Sequence, residues 1–269
     1  MVRAFSVLAV FFAAVSIGAA AEPAEHPLVP LIRFAEQRLQ TLDNDIRDYT
    51  CTLVKRERID GQLRDYEQLS VKLRHEQVRQ DRVVTPFAVF LRFLAPAEVK
   101  GREVVYVRGR NKDKVIVWRG GPKLAYVTTA VSPDSDLALR FAHYPISEIG
   151  MKNLTERLIQ MGKQELAHNE CEVVYVDGAK INGRPCMMVQ LTHSVRRPHF
   201  RYYMARVFID DELKLPMCYA SYDWPTAKGE APPLIEEYTY LDVKLNVGLS
   251  DYDFDYHNPA YRFRKTFEP

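Results

Sequence analysis

Glycine is scarce, with 12 residues among 269, and no Gly/Ser-rich or repetitive stretch interrupts the chain. With 47% hydrophobic and 27% charged residues, a wholly disordered or collagen-like polypeptide is excluded. Charge imbalance is also slight: 37 basic against 35 acidic residues give +2. That is too little for the clustered positive surface of a nucleic-acid binder, so no nucleic-acid partner is expected. No C-x-x-C pair occurs among Cys51, Cys171, Cys186 and Cys218, which leaves zinc ribbons and thioredoxin-type chemistry without support. G-x-S-x-G, G-x-G-x-x-G, P-loop, H-E-x-x-H and EF-hand patterns are missing, and the seven histidines are dispersed. No metal and no cofactor is expected from such a set. What is abundant is aromatic: 15 tyrosines and 13 phenylalanines, which fits a strand-rich core.

Met1-Val2-Arg3, an apolar Ala4–Ala20 run and Ala19-Ala20-Ala21 read as a secretory signal peptide over 1–21. The expected destination is the periplasm or the extracellular space. No later run is long and apolar enough to cross a bilayer, so no stable transmembrane segment is expected after cleavage. Export makes disulfides admissible for the four cysteines, with three connectivities; free, buried cysteines are the alternative. Residues 22–47 read as a linker, Pro23 to Pro30, and an amphipathic helix whose apolar positions are Leu31, Ala35, Leu39, Leu42 and Ile46. Residues 48–269 form a single domain in this reading.

From Tyr49 the period changes to two. Tyr49, Cys51 and Leu53 alternate with polar neighbours, as do Leu69, Val71 and Leu73. Keeping both rows on one buried face pairs Leu53 with Leu69, Cys51 with Val71 and Tyr49 with Leu73, across a three-residue loop from Asp60 to Gln62. Phe87, Val89, Leu91 and Phe93 form one face of a further strand, with Ala88 and Phe90 on the other. Both faces of that strand must therefore be covered. Glu103 to Arg108 and Lys114 to Arg119 flank Asn111-Lys112-Asp113 as a hairpin. Ser135 to Ala142 predicts a short helix, and Asn153 predicts the cap of another that ends at Gly162. A second strand series follows, with a hairpin turn at Asn182-Gly183 that pairs Cys186 with Ala179. Arg206 to Asp210, Leu213 to Asp223 and Leu234 to Lys244 complete it. The order is α+β, built on a large antiparallel meander. A meander this long is expected to curl or close, because flat open edges are sticky.

Chemistry is harder to find. His143 with Glu148 is the one pair that could serve a hydrolase, and no nucleophile–base–orienter set accompanies it, so the protein is expected not to be an enzyme. Asp251, Asp253 and Asp255 alternate with Tyr252, Phe254 and Tyr256. They lack the glycine and terminal glutamate of a calcium loop, and read better as a tail docking aromatics into the fold. Lys55-Arg56-Glu57-Arg58 and Arg196-Arg197 are short basic clusters. The apolar rows are the remaining feature. Leu69, Val71, Leu73, Phe87, Val89, Phe90, Leu91, Phe93, Met187, Val189 and Leu191 are candidate walls of a cavity for a lipid or other acyl-type ligand. The same rows also describe a filled core. The chain would then be an envelope interaction or sensor module, with a protein partner at a sheet edge or a basic cluster.

Several blocks resemble an exported bacterial family catalogued as domain of unknown function 1571. They are Tyr49-Thr50-Cys51 with Lys55-Arg56-Glu57, Lys100-Gly101-Arg102-Glu103-Val104, and His143-Tyr144-Pro145-Ile146-Ser147-Glu148-Ile149-Gly150. Arg206-Val207-Phe208-Ile209-Asp210 and Asn258-Pro259-Ala260-Tyr261-Arg262-Phe263 extend the match. That family implies no catalytic residue. The strand–helix–strand plan is also similar to the LolA/LolB lipoprotein carriers and RseB-type sensors. This second resemblance implies a large curved antiparallel sheet, a half-open β-barrel with helices covering its concave face. It further implies a non-enzymatic envelope protein handling a lipid or acyl-type ligand. No cysteine follows the signal segment, so a lipid-anchored receptor is not implied.

Overall fold

The computed structural model describes residues 25–121, 126–264 and 266–269; the signal peptide read over 1–21 lies outside them. Helix α1 (Leu28–Asp45) begins before Leu31 and takes Pro30 into its first turn. Proline is tolerated there because that N–H has no intrahelical partner. The Leu28 N–H donates to His26 Nδ1 at 3.1 Å.

Strands β1 (Asp48–Ile59), β2 (Gln62–Leu63) and β3 (Glu67–Arg74) follow. Leu53 faces Leu69, Cys51 faces Val71 and Tyr49 faces Leu73, the register the buried face requires. The turn itself is shorter than that register implies. Ile59 pairs with Gln62 around Asp60-Gly61, both at positive φ, as a two-residue hairpin turn prefers. The irregular stretch 64–66 then absorbs the offset. A separate small hairpin, β4 (Gln77–Arg79) and β5 (Arg82–Thr85), precedes β6 (Ala88–Ala95). Next come β7 (Glu103–Val107), β8 (Val115–Trp118) and β9 (Thr128–Val131).

Helix α2 (Asp136–Leu139) is capped by Ser135, and α3 spans Met151–His168. Two sequence expectations change here. The cap of α3 is Gly150, not Asn153, and Gly162 does not stop the helix. Gly162 instead lies where α1 crosses: an added Cβ would sit 3.0 Å from Ile32 Cγ1 and Cδ1. Strands β10 (Glu172–Ile181), β11 (Arg184–Thr192), β12 (Met204–Asp210), β13 (Pro216–Tyr222) and β14 (Leu234–Leu245) complete the set. Cys186 pairs with Ala179 across the Asn182-Gly183 turn, and an irregularity between Val176 and Ala179 shifts the register beyond it.

The sheet runs β10-β11-β12-β13-β14-β1-β3-β6-β7-β8-β9, all neighbours antiparallel, with β2 attached to β1. This corrects the expected half-open barrel. The sheet is a single open path, neither closed nor strongly curled, and β10 and β9 remain as its two edges. The premise that a long meander must close overlooks other ways of managing an edge. β9 is only four residues long. β10 carries the Gly178 irregularity and exposes Glu172, Asp177 and Lys180.

Each face acquires its own cover. On one face, Leu42, Ile46, Met151 and Leu154 of the helical layer pack with Tyr49, Leu53, Leu69, Val71, Leu73, Val89 and Tyr219. On the other, the C-terminal tail lays Phe254, Tyr256, Tyr261 and Phe263 over Ala88, Phe90, Val105, Val107 and Ile116. Phe90 and Tyr261 stack with ring centroids 4.1 Å apart. The alternating carboxylates of the tail pair with cations on β3: Asp253 with Lys72 and Asp251 with Arg74, each at 2.7 Å.

Candidate functional site

Between the helix-bearing face and residues 133–150 lies a cavity of about 270 Å³. Strand alternation builds its floor, since residues two apart share a face: Leu53, Leu69, Leu91, Phe93, Val104 and Val115 reach it from five strands. Tyr219, Tyr238 and Tyr240 form one wall, and Leu137, Phe141, Ile146 and Ile149 form the cover. Two cover residues, Leu137 and Phe141, are 54% and 56% exposed. These apolar side chains both line the void and stand half open to solvent, so the cover does not seal it on that side. At Gly150 the cover meets the floor. Its φ is +119°, and an added Cβ would stand 2.8 Å from Leu73 Cδ1, so only glycine brings the chain this close.

A polar network fastens the cover to the sheet on one side. Glu57 and Glu236, both buried, project from neighbouring strands β1 and β14, where they are directly paired with one another's positions in the ladder. The Tyr238 hydroxyl donates to Glu57 Oε1, and Lys55 Nζ lies 2.6 Å from Glu57 and 3.1 Å from Glu67. The backbone N–H of His143 donates to Glu57 at 3.0 Å, its Nδ1 bonds Glu236 at 2.6 Å, and the Tyr144 hydroxyl donates to Glu236 at 2.8 Å. Burial works to raise the Glu57 pKa. The Lys55 ammonium and the Tyr238 and His143 hydrogen bonds overcome it and hold the carboxyl below its ordinary value. The bond to Glu236 raises the His143 pKa against its partial burial. Further along, Arg157 pairs with Glu148 and lies 3.5 Å from the Tyr144 ring centroid.

These bonds dispose of the hydrolase pair: Glu148 is held by Arg157, and His143 by Glu236 and the Arg58 carbonyl. His193, adjacent to Ser194, is fully buried with Nε2 2.8 Å from Glu165, whose other oxygen accepts from Tyr202. It ties α3 to the sheet and does not line this cavity. All four cysteines are free thiols. Burial pushes the Cys51 thiol up to about 12, which suppresses the thiolate that nucleophilic chemistry needs. Among the described residues no group of three or more His, Cys, Asp or Glu side chains could hold a metal ion.

The candidate wall residues separate into four groups. Leu69, Leu91 and Phe93 line the cavity. Val71, Leu73, Phe87 and Val89 are packed in the core beside it. Phe90 is on the opposite face, beneath the tail. Val189 and Leu191 line a smaller void of about 80 Å³ under α1 and α3, and Met187 packs against the same helices. Sequence reasoning missed the tyrosine wall, the cover from 133 to 150, and the rim cations Arg102 and Arg119. Alternation along β14 puts Tyr238 and Tyr240 on one face, but no local signal shows that this face opens on a void.

The profile of a family described as protein of unknown function (DUF1571) matches residues 46–263. No curated protein matches the sequence. Among solved structures the chain is similar to MucB at 14% identity and a TM-score of 0.49, over 84% of this chain and 62% of that one. It is similar to the MucA/MucB complex of Pseudomonas aeruginosa at 17% identity and 0.45, over 83% and 60%. Lipoprotein LppX of Mycobacterium tuberculosis gives 13% identity and 0.44, over 84% and 100%. The chain thus spans about three-fifths of the MucB chains it matches. Similarities this distant carry no role to this protein.

Proposed function

The chain belongs to the family of unknown function DUF1571, and from its cavity we propose an exported, non-enzymatic envelope protein that binds an acyl-type hydrophobic ligand. The observation that carries this reading is the void of about 270 Å³ floored by Leu53, Leu69, Leu91 and Phe93 under a cover whose Leu137 and Phe141 are half exposed. Its size lies near the lower end of small-molecule sites, about 300–1,000 Å³. Its floor is apolar, as such a site needs, and the charged and tyrosine side chains that also line it supply polar groups that can orient a ligand. A twelve-carbon chain with about ten methylenes would gain roughly 8 kcal/mol on burial, at about 0.8 kcal/mol each. Association costs at least about 4 kcal/mol of that. The chain alone is therefore held weakly, as suits a ligand that is taken up and released.

Filling the void tests the reading. Leu91→Trp is expected to abolish uptake of dodecanoate by the purified protein in native mass spectrometry and calorimetry while leaving the fold intact by circular dichroism. A Leu91→Trp protein that binds dodecanoate as the parent does, or a parent that binds no alkyl chain, would remove the proposal.

A second reading, an interaction or sensor module, is favoured by one feature. Edge strand β10 exposes Val174, Tyr175 and Val176 beside unpaired backbone groups, a template for strand addition by a partner protein. Crosslinking in envelope extracts that captures one protein through β10, with no lipid in the cavity, would favour it over the carrier.

A further inference from the structure

The cavity's charged side chains are unevenly satisfied. Four basic residues, Lys55, Arg102, Arg119 and Arg157, and three acidic ones, Glu57, Glu67 and Glu148, line it. Lys55 holds Glu57 and Glu67, and Arg157 holds Glu148. Arg102 and Arg119 have no carboxylate within ion-pair distance among the described residues. The two lie just beyond the Glu103–Trp118 pair that ends the β7–β8 ladder, with Arg102 Nε donating to the Arg119 carbonyl at 3.2 Å. The Arg102 guanidinium is also fixed over the ring of Phe93, 5.3 Å from its centroid, and Phe93 is cavity wall. A cation pair is thus positioned at the point where apolar wall gives way to solvent.

We propose, on the reading that the cavity takes an alkyl chain, that Arg102 and Arg119 form the headgroup subsite for an anionic amphiphile bearing a carboxylate or phosphate. A guanidinium stays charged at any relevant pH and presents its donors in a planar fork that suits either oxyanion. Partial burial of Arg102 lowers its pKa, Glu67 opposes this and the Arg119 charge adds to it. An incoming anion relieves that unfavourable balance. The chain of the same molecule would continue past Phe93 onto Leu91 and Leu69, so one ligand satisfies both halves of the site. A neutral chain would leave the cations as they are.

Calorimetry of the full chain with dodecanoate, dodecyl phosphate, dodecan-1-ol and inorganic phosphate tests this. Dodecanoate or dodecyl phosphate is expected to bind about tenfold more tightly than dodecan-1-ol, a gap of about 1.4 kcal/mol, and the preference is expected to weaken with salt. Which of the two ionic chains binds better identifies the natural headgroup chemistry. Arg119→Gln, at an exposed position, should erase most of the preference without affecting dodecan-1-ol, and Arg102→Gln should erase it further. Equal binding of dodecan-1-ol and the ionic chains, or an undiminished preference in Arg119→Gln, would overturn the headgroup subsite while leaving the cavity reading in place. Inorganic phosphate binding as tightly as dodecyl phosphate would mean a free-anion site and would overturn it too. Failure of every alkyl compound would end both proposals.

Discussion

His75 is 4% exposed, and neither ring nitrogen meets a hydrogen-bond partner. Burial first, and the nearby Lys152 charge second, lower its pKa to about 4 against the pull of Asp43, the Ile46 backbone and Asp48. An unfolded histidine titrates near 6.5. The folded state therefore binds fewer protons between these values, and the stabilisation by neutral His75 is complete above about 6.5 and lost as pH falls toward 4. Between pH 7 and pH 5 the loss should be about 2 kcal/mol in urea unfolding, and His75→Phe should remove most of it. The paired carboxylates Glu57, Asp251 and Asp253 have lowered pKa values, so their contribution is lost only in stronger acid. An unchanged acid slope in His75→Phe would assign the effect elsewhere. His143 has the opposite sign. Its pKa is raised through Glu236, so its share of stability is present below about 6.5 and lost as pH rises through the elevated value. Neither behaviour is legible in the sequence, where both are isolated histidines and only the packing separates them.

The tail from Asp251 to Phe263 decides what strand β6 means. Alternation in Phe87–Phe93 correctly requires both faces to be covered. It does not say by what, and a cavity and a core look alike in a row of apolar residues. The structure gives Leu91 and Phe93 to the void and Phe90 to Tyr261 of the tail. The tail is then a structural layer, fixed by Lys72–Asp253, Arg74–Asp251 and the Arg262 N–H donating to Glu103 at 2.6 Å. Phe263→Ala, at a buried position, is expected to cost about 3 kcal/mol through the cavity it leaves. Thermal unfolding with a surface-binding dye would read this as a lower midpoint and earlier dye uptake. A variant as stable as the parent would show that the tail adds no core. The α3 helix teaches a related lesson. Gly162 has the mark of a terminator, but the crossing with Ile32 on α1 uses its missing Cβ for close approach.

Across the whole molecule, the open sheet leaves two edges for the chain to protect. Glu172, Asp177 and Lys180 are exposed on β10 beside Val174, Tyr175 and Val176, and charges on an edge strand oppose its pairing with a second copy. Replacing Glu172 and Lys180 by threonine should therefore increase self-association in sedimentation velocity relative to the parent at the same concentration. A sedimentation profile identical to the parent's would mean that the irregularity at Gly178 protects the edge without them. Two voids lie on the helix-bearing side of the sheet: one between the sheet and the 133–150 cover, the other under α1 and α3, with Tyr219 lining both.

Alternation and turn chemistry were enough to settle the local order: the β1–β3 register, the Asn182-Gly183 hairpin, the two-faced burial of β6 and the succession of helix, strands, helices and strands. These are properties of neighbours along the chain or across one tight turn, where side-chain period and buried face leave a single consistent pairing. Long-range packing alone decided that the sheet stays open, that the tail covers one face, that Gly162 is a crossing point and that Arg102 and Arg119 line a void with no carboxylate partner among the described residues. Each of these depends on which distant segment arrives at a given surface, and the pattern of polar and apolar residues is the same whether the arriving segment fills that surface or bridges it.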